Sequence, residues 1–192
     1  MARPPDPRIR ARLRERAVDY VLSHGVADLA LRPLAKVLKT NARMLVYHFG
    51  SREGLMREIL TGIRERGDAR IQAWCQRGEK PRGLPQFLRW YWKRVSTLKA
   101  RPVIRLIFEL YALALRNPRD YPGVLEDPII YWQDLTEKAG IPAKVDEAEA
   151  TLLLAATRGL LLDLCATGDH ARVERALETL GQFVEWRAAS AS

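Results

Sequence analysis

The chain has 192 residues, 47% of them hydrophobic, a formal charge of +9 and 2 cysteines. This is enough apolar content for a packed core, while no run of about 18 uncharged apolar residues marks a membrane span, the first residues lack the apolar segment of a secretion signal, and Cys75 and Cys165 match no metal or redox spacing. The charge is lopsided: residues 1–66 hold 14 Lys+Arg against 7 Asp+Glu, or +7 of the total, which points to an anionic partner there, nucleic acid or a membrane surface.

Alternation with period two is scarce and helical spacing recurs, predicting an all-α chain of about nine helices. Asp6 and Pro7 open the first, which carries Ile9, Leu13, Ala17, Tyr20 and Val21 on one face and Arg8, Arg10, Arg12, Arg14 and Arg16 on the other; Gly25 closes it. Leu31–Leu38 reads as a short second helix, Lys39-Thr40 as a tight turn, and Asn41 as the cap of a third helix over Ala42–Phe49 that Gly50 ends. Ser51 and Glu53 start a long fourth helix running to about Gln76, weakened and expected to curve or move at Gly62 and Gly67.

After a loop at residues 77–83, a fifth helix shows Leu84, Phe87, Leu88, Tyr91, Val95 and Leu98 on one face. The sixth, from about Pro102 to Arg116, is apolar nearly all round and so expected to be buried. A seventh spans about Gly123 to Ala139, perturbed by Pro128, and stops at Gly140. Asp146 opens an eighth, apolar on several faces though interrupted by Arg158 and Asp163, and ending at Gly168; Asp169 caps a ninth.

Two short helices joined by a tight turn, followed by a capped helix, are the pattern of a DNA-reading helix-turn-helix. The third helix would pack Ala42, Leu45 and Phe49 inward and show Arg43, Met44, Tyr47 and His48 outward, the split a recognition helix requires. Arg43, in the first turn, suits a bidentate contact to guanine. Thr40 and the amides that open this helix suit a phosphate, and Arg52 and Arg32 flank the same surface. The DNA-facing set is Arg32, Thr40, Asn41, Ala42, Arg43, Met44, Tyr47, His48 and Arg52.

The stretch Leu31-Arg32-Pro33-Leu34-Ala35, the triplet Tyr47-His48-Phe49 and Ser51-Arg52-Glu53-Gly54-Leu55 resemble the N-terminal signature of the TetR family of bacterial transcriptional regulators, over about residues 9–60. Residues 167–172 resemble a junction common between that family's last two helices. Three positions depart from the pattern: Ala30 replaces a Ser or Thr cap, Lys39 replaces a turn glycine, and Val46 replaces an aromatic residue. The resemblance implies a helix-turn-helix domain at 1–52 and a helical ligand-binding and dimerisation domain at 53–192. It also implies a cytoplasmic homodimer joined through the last two helices, a pseudo-palindromic operator on double-stranded DNA, and repression relieved by a small molecule.

Ten of the fifteen aromatic residues fall between Trp74 and Trp132, where the family places its ligand. An apolar or aromatic effector among Phe87, Tyr91, Arg105, Phe108, Glu109, Tyr111, Tyr131 and Trp132 is one reading; ordinary core packing is the other. Arg105 and Glu109 either pair with each other or meet a polar ligand group, and Asp163 belongs either to the dimer interface or to the pocket. No cofactor or metal site is expected: His24, His48 and His170 are scattered, and neither a phosphate loop nor a nucleophile motif is present, which disfavours an enzyme. A membrane-surface module would suit the basic first helix but not the helix-turn-helix spacing.

Overall fold

The computed structural model describes residues 6–26, 29–77, 80–121, 124, 128–141 and 146–190. Among these the chain forms nine α-helices and no strand: α1 (Pro7–His24), α2 (Leu31–Val37), α3 (Ala42–Phe49), α4 (Arg52–Gln76), α5 (Leu84–Val95), α6 (Arg101–Arg116), α7 (Pro128–Lys138), α8 (Glu147–Thr167) and α9 (His170–Ser190). A 3-10 turn, Pro118–Asp120, follows α6.

Short-range chemistry sets most helix ends. Asp6 Oδ1 accepts from the Arg8 amide at 2.8 Å, Asn41 Oδ1 from Met44 at 2.9 Å, Ser51 Oγ from Gly54 at 3.0 Å, Asp146 Oδ1 from Glu149 at 2.7 Å and Asp169 Oδ1 from Arg172 at 3.0 Å. Each cap satisfies an amide the helix itself leaves open. Gly25, Gly50, Gly140 and Gly168 follow helix ends with positive φ. Ala30 makes no side-chain cap. Pro128 begins α7 rather than perturbing it, as its fixed φ and missing N–H allow; of the residues expected to precede it in that helix, Val124 is not helical and 123 and 125–127 lie outside the described set.

The chain divides into two compact units, Met1–Arg70 with Leu106–Glu126 and Ile71–Arg105 with Asp127–Ser192, and α4 and α6 each contribute to both. In the first unit Leu13, Ala17 and Val21 of α1, Leu34 of α2, Leu45 and Phe49 of α3, Leu55 and Ile59 of α4 and Leu106 and Leu110 of α6 share one core. Each of these side chains other than Ala17 contributes about 1.5–3 kcal/mol on burial. α1 and α4 approach closely at Gly62, where a Cβ would stand 2.7 Å from Val18 Cγ2. Gly62 and Gly67 leave α4 unbroken.

The arginines of α1 are largely drawn into the fold. Arg10 and Arg14 pair with Glu58, and Arg14 also with Glu65 at 2.8 Å, while Arg66 reaches back to Glu15 and Asp19 at 2.6 Å each. Being partly exposed, each pair is worth at most about 1 kcal/mol. Arg16 donates through Nη1 to the Leu38 carbonyl at 2.6 Å and through Nη2 to Val37 at 2.8 Å. It thereby caps the end of α2 where Lys39 sits at φ 54°, the one non-glycine positive φ among the described residues. Arg16→Ala is expected to lower the stability of this unit by about 1–2 kcal/mol, and Lys39→Gly added to it to recover part of the loss; urea titration followed by circular dichroism reads both.

Another anchor comes from α6. Glu109 Oε1 accepts from the Val26 amide at 3.1 Å, and its carboxylate lies against Gly25, where a Cβ would come within 2.6 Å of Oε2. Only glycine fits there, at φ 80°.

In the second unit Phe87 and Leu88 of α5, Trp132 and Leu135 of α7, Leu153 and Leu154 of α8 and Val184 of α9 form the core. Arg89 of α5 pairs with Glu185 of α9 at 3.1 Å and passes over Gly181. Two expectations fail. Leu98 lies beyond the end of α5 and is exposed, and α6 is two-faced: Ile104, Leu106, Leu110 and Ala114 are buried, while Ile107 and Leu115 reach solvent. α8 is long and apolar enough to cross a membrane by length and composition alone, which the sequence reading excluded; here Leu153, Leu154, Leu161 and Leu164 pack it into this unit.

Candidate nucleic-acid interface

α2, the turn and α3 present one face of the first unit. Leu45, His48 and Phe49 turn inward, while Arg43, Val46 and Tyr47 are exposed and Ala42 and Met44 are half-buried. The split follows the helical period: residues 45, 48 and 49 lie within one-third of a turn of each other. His48 is therefore on the core side, 5% exposed, with neither ring nitrogen hydrogen-bonded among the described residues and its ring edge-on to Tyr47 at 5.2 Å. Of the residues expected to face DNA, it is the one whose ring the free protein holds inside.

Arg32 is exposed on α2, and Thr40 is half-buried, its amide donating to Ala35 O at 2.9 Å. Asn41 commits its Oδ1 to the cap of α3, leaving its amide nitrogen as a donor. Arg52 starts α4 and donates weakly to Leu29 O at 3.5 Å, which tethers it beside α2. Lys36 and Lys39, not counted in the DNA-facing set from the sequence, are exposed on α2 and the turn; their charge was visible, but the positive φ that places Lys39 was not. Beside Arg52, Glu53 is held below the usual carboxylate range by a backbone hydrogen bond, then by Ser51 and Arg52, so it stays charged at the start of α4.

The residues expected around a ligand are divided. Phe87, Tyr91 and Trp132 come together in the second unit: Phe87 lies 6.1 Å from Tyr91 and 5.4 Å from Trp132, and Tyr91 lies 5.3 Å from Trp132. Trp90 joins at 5.9 Å from Phe87, and Trp74 at 6.3 Å from Trp90. Phe108, Glu109 and Tyr111 belong to the first unit, where Glu109 serves the Val26 amide. Arg105 is exposed, and the side chain of Tyr131 lies outside the described residues. Asp163 pairs with Arg172 at 2.7 Å, which holds its carboxyl below the ordinary range and ties α8 to the start of α9.

The sequence reading passed over Arg94. It stacks 4.0 Å from the centre of Trp90 and 5.9 Å from Trp74, and its Nη1 donates to Trp90 O at 2.7 Å. The spacing Trp90–Arg94, one helical turn on α5, was the available signal.

No family model and no curated protein matches the sequence. Among solved structures the chain is similar to the multidrug binding protein EbrR complexed with imidazole, at 27% identity over 95% of this chain and 93% of that one, TM-score 0.69. It is also similar to EbrR complexed with proflavin, at 24% identity over 91% and 98% of the two chains, TM-score 0.65, and to Salmonella enterica GusR, at 24% identity over 93% and 95%, TM-score 0.57. The all-helical architecture of this chain is that of the TetR-like regulators.

Proposed function

We propose that this TetR-like regulator is a sequence-specific DNA-binding repressor that works as a homodimer and leaves a pseudo-palindromic operator when a small molecule binds. The observation that carries the reading is α3. Its inner face is fixed in the core by Leu45 and Phe49, and its outer face offers Arg43 in the first turn and Tyr47 one turn on, flanked by Arg32 and Arg52. A rigid helix with an extended guanidinium at its start is suited to guanine in a major groove.

The dimer reading rests on α8 and α9. Leu152, Ala155, Gly159, Leu162 and Ala166 form an exposed stripe without charge on α8, and Ala176, Thr179, Phe183 and Trp186 form another on α9. Phe183 and Trp186 are 64% and 68% exposed. Such a face calls for a cover. Arg175, Glu178, Glu185 and Arg187, exposed around the α9 stripe, suit the polar rim of a protein interface better than lipid.

The aromatic cluster supports a ligand role for the second unit, and the proflavin bound by EbrR favours a planar compound. Residues 1–52 would read DNA, and 53–192 would hold the ligand and the dimer contact. Because α4 and α6 contribute to both units, a ligand that prefers one arrangement of these helices could lower DNA affinity by that preference and no more. The work would be done in the cytoplasm, without catalysis or cofactor.

Arg43→Ala is expected to weaken operator binding about 10- to 100-fold while leaving binding to random DNA nearly unchanged. Arg52→Ala should weaken both alike and flatten the salt dependence. Fluorescence anisotropy on both DNAs separates the two, and equal losses for Arg43→Ala on both would refute its base-reading role.

A further inference from the structure

We propose that Glu109 is a positioning residue for the DNA-facing surface: from α6 it sets the segment that joins α1 to α2, and through that segment the start of α2 and Arg52. The inference rests on the DNA-reading role proposed above and gives Glu109, expected from the sequence beside a ligand, a part in it.

The segment begins where α1 stops serving its amides. The backbone bonding of that helix ends with the Gly25 N–H on the Val21 carbonyl at 2.9 Å. Val26 comes next and is 1% exposed, and its amide donates to Glu109 Oε1 at 3.1 Å, which satisfies a donor that water is kept from. The bonds run on toward the DNA-facing side. The Val26 carbonyl accepts from the Leu29 amide at 3.1 Å, and the Leu29 carbonyl from Arg52 Nη2 at 3.5 Å. Leu29 directly precedes Ala30, whose carbonyl takes the first backbone bond of α2, from Leu34 at 3.2 Å. Ala30 supplies no side-chain cap, so the start of α2 depends on how this segment is held.

The holder is itself fixed. Leu106 and Leu110, on either side of Glu109 along α6, lie in the core of the first unit. Gly25 makes the room: a Cβ there would stand 2.6 Å from Oε2 and 3.2 Å from Oε1, so the carboxylate fills the place of a side chain. The last turn of α1 carries the negative end of that helix's dipole, where a carboxylate gains nothing from its charge. What Glu109 supplies is the acceptor, and an uncharged acceptor of the same length should serve. α6 contributes to both units, so the DNA-facing segment is tied to a helix that also belongs to the second.

The test uses the full-length protein well below its melting temperature. The probes are the fragment it enriches most from genomic DNA and a shuffled duplex of the same composition, read by fluorescence anisotropy. Glu109→Ala is expected to lower affinity for the enriched fragment about tenfold or more, because losing a hydrogen bond to a charged group reduces the share of the binding-competent arrangement by that factor. Binding to the shuffled duplex should change little. Hydrogen exchange over residues 25–29 should quicken by a similar factor, and Glu109→Gln should restore most of both. Leu110→Ala, in the same core, is the stability control: it should lower the melting temperature more and the affinity less. If affinity follows melting temperature across the three variants, or Glu109→Gln binds as poorly as Glu109→Ala, the positioning role falls while the DNA reading stands. If the parent does not prefer its enriched fragment to the shuffled duplex, the DNA reading falls and the positioning role with it.

Discussion

Leu162→Glu is expected to leave the subunit folded and to abolish specific DNA binding. Leu162 is 52% exposed in the single chain, so a glutamate there meets water and should cost at most about 0.5 kcal/mol of subunit stability. In the proposed dimer the same side chain sits on the uncharged α8 stripe between Gly159 and Ala166 and is covered by a second copy. A carboxylate buried there without a partner costs several kcal/mol, roughly 3–5 when uncompensated, and two-fold symmetry repeats the cost in the other subunit. The dimer should then dissociate at micromolar concentration, with specific affinity falling by two orders of magnitude or more as each subunit is left with one half-site. Sedimentation and operator titration of the same sample read both effects. A Leu162→Glu protein that stays dimeric would move the interface elsewhere.

Gly54→Ala and Gly67→Ala, the same change on the same helix, are expected to act in opposite directions. At Gly54 a Cβ would overlap the Phe49 carbonyl oxygen, and the clash is with backbone that cannot swing aside. α3 would have to move away from α4 to admit the methyl group. The expected loss is at the upper end of overpacking effects, about 3 kcal/mol, with operator affinity falling further than stability alone explains because the outer face of α3 is re-aimed. Gly67 has nothing within 4 Å of the added atom, so alanine there should stabilise α4 by about 0.5–1 kcal/mol. Gly62 lies between them: its obstacle is the Val18 side chain at 2.7 Å, which has some room to give. Thermal melts of the three variants should rank Gly67→Ala above the parent, then Gly62→Ala, then Gly54→Ala. Any rise in melting temperature for Gly54→Ala would refute the close approach of α3 to α4.

The helix ends were legible because capping is chemistry between residues two or three apart. Asp6, Asn41, Ser51, Asp146 and Asp169 each accept an amide within that distance. The outward residues Arg43 and Tyr47 were legible from helical period. His48 was assigned outward with them, although the same period places it beside Leu45 and Phe49.

The long-range uses of charge could not be read. Arg14 meets Glu65, 51 residues away, and Glu109 serves an amide 83 residues away. Nothing in the local pattern tells a guanidinium that will face DNA from one that will cap a neighbouring helix, as Arg16 does. For the same reason the basic excess of the first 66 residues overstates the charge free for a polyanion: Arg10, Arg14 and Arg66 are paired with carboxylates. The two-faced packing of α6 was hidden because Ile107 and Leu115 look like core in any apolar window. Arg94 was overlooked because a basic residue at the end of an amphipathic helix normally reads as solvated.

The central claim is sequence-specific reading of DNA by a symmetric pair of α3 helices. Selection of bound fragments from genomic DNA by the purified protein, at near-physiological salt, tests it most directly. Low salt would let the basic first unit hold any sequence through phosphate contacts. The account predicts enrichment of a short pseudo-palindrome with half-sites about one helical turn apart, lost in Arg43→Ala. Salt-sensitive binding to all fragments alike, with no motif enriched, would contradict it.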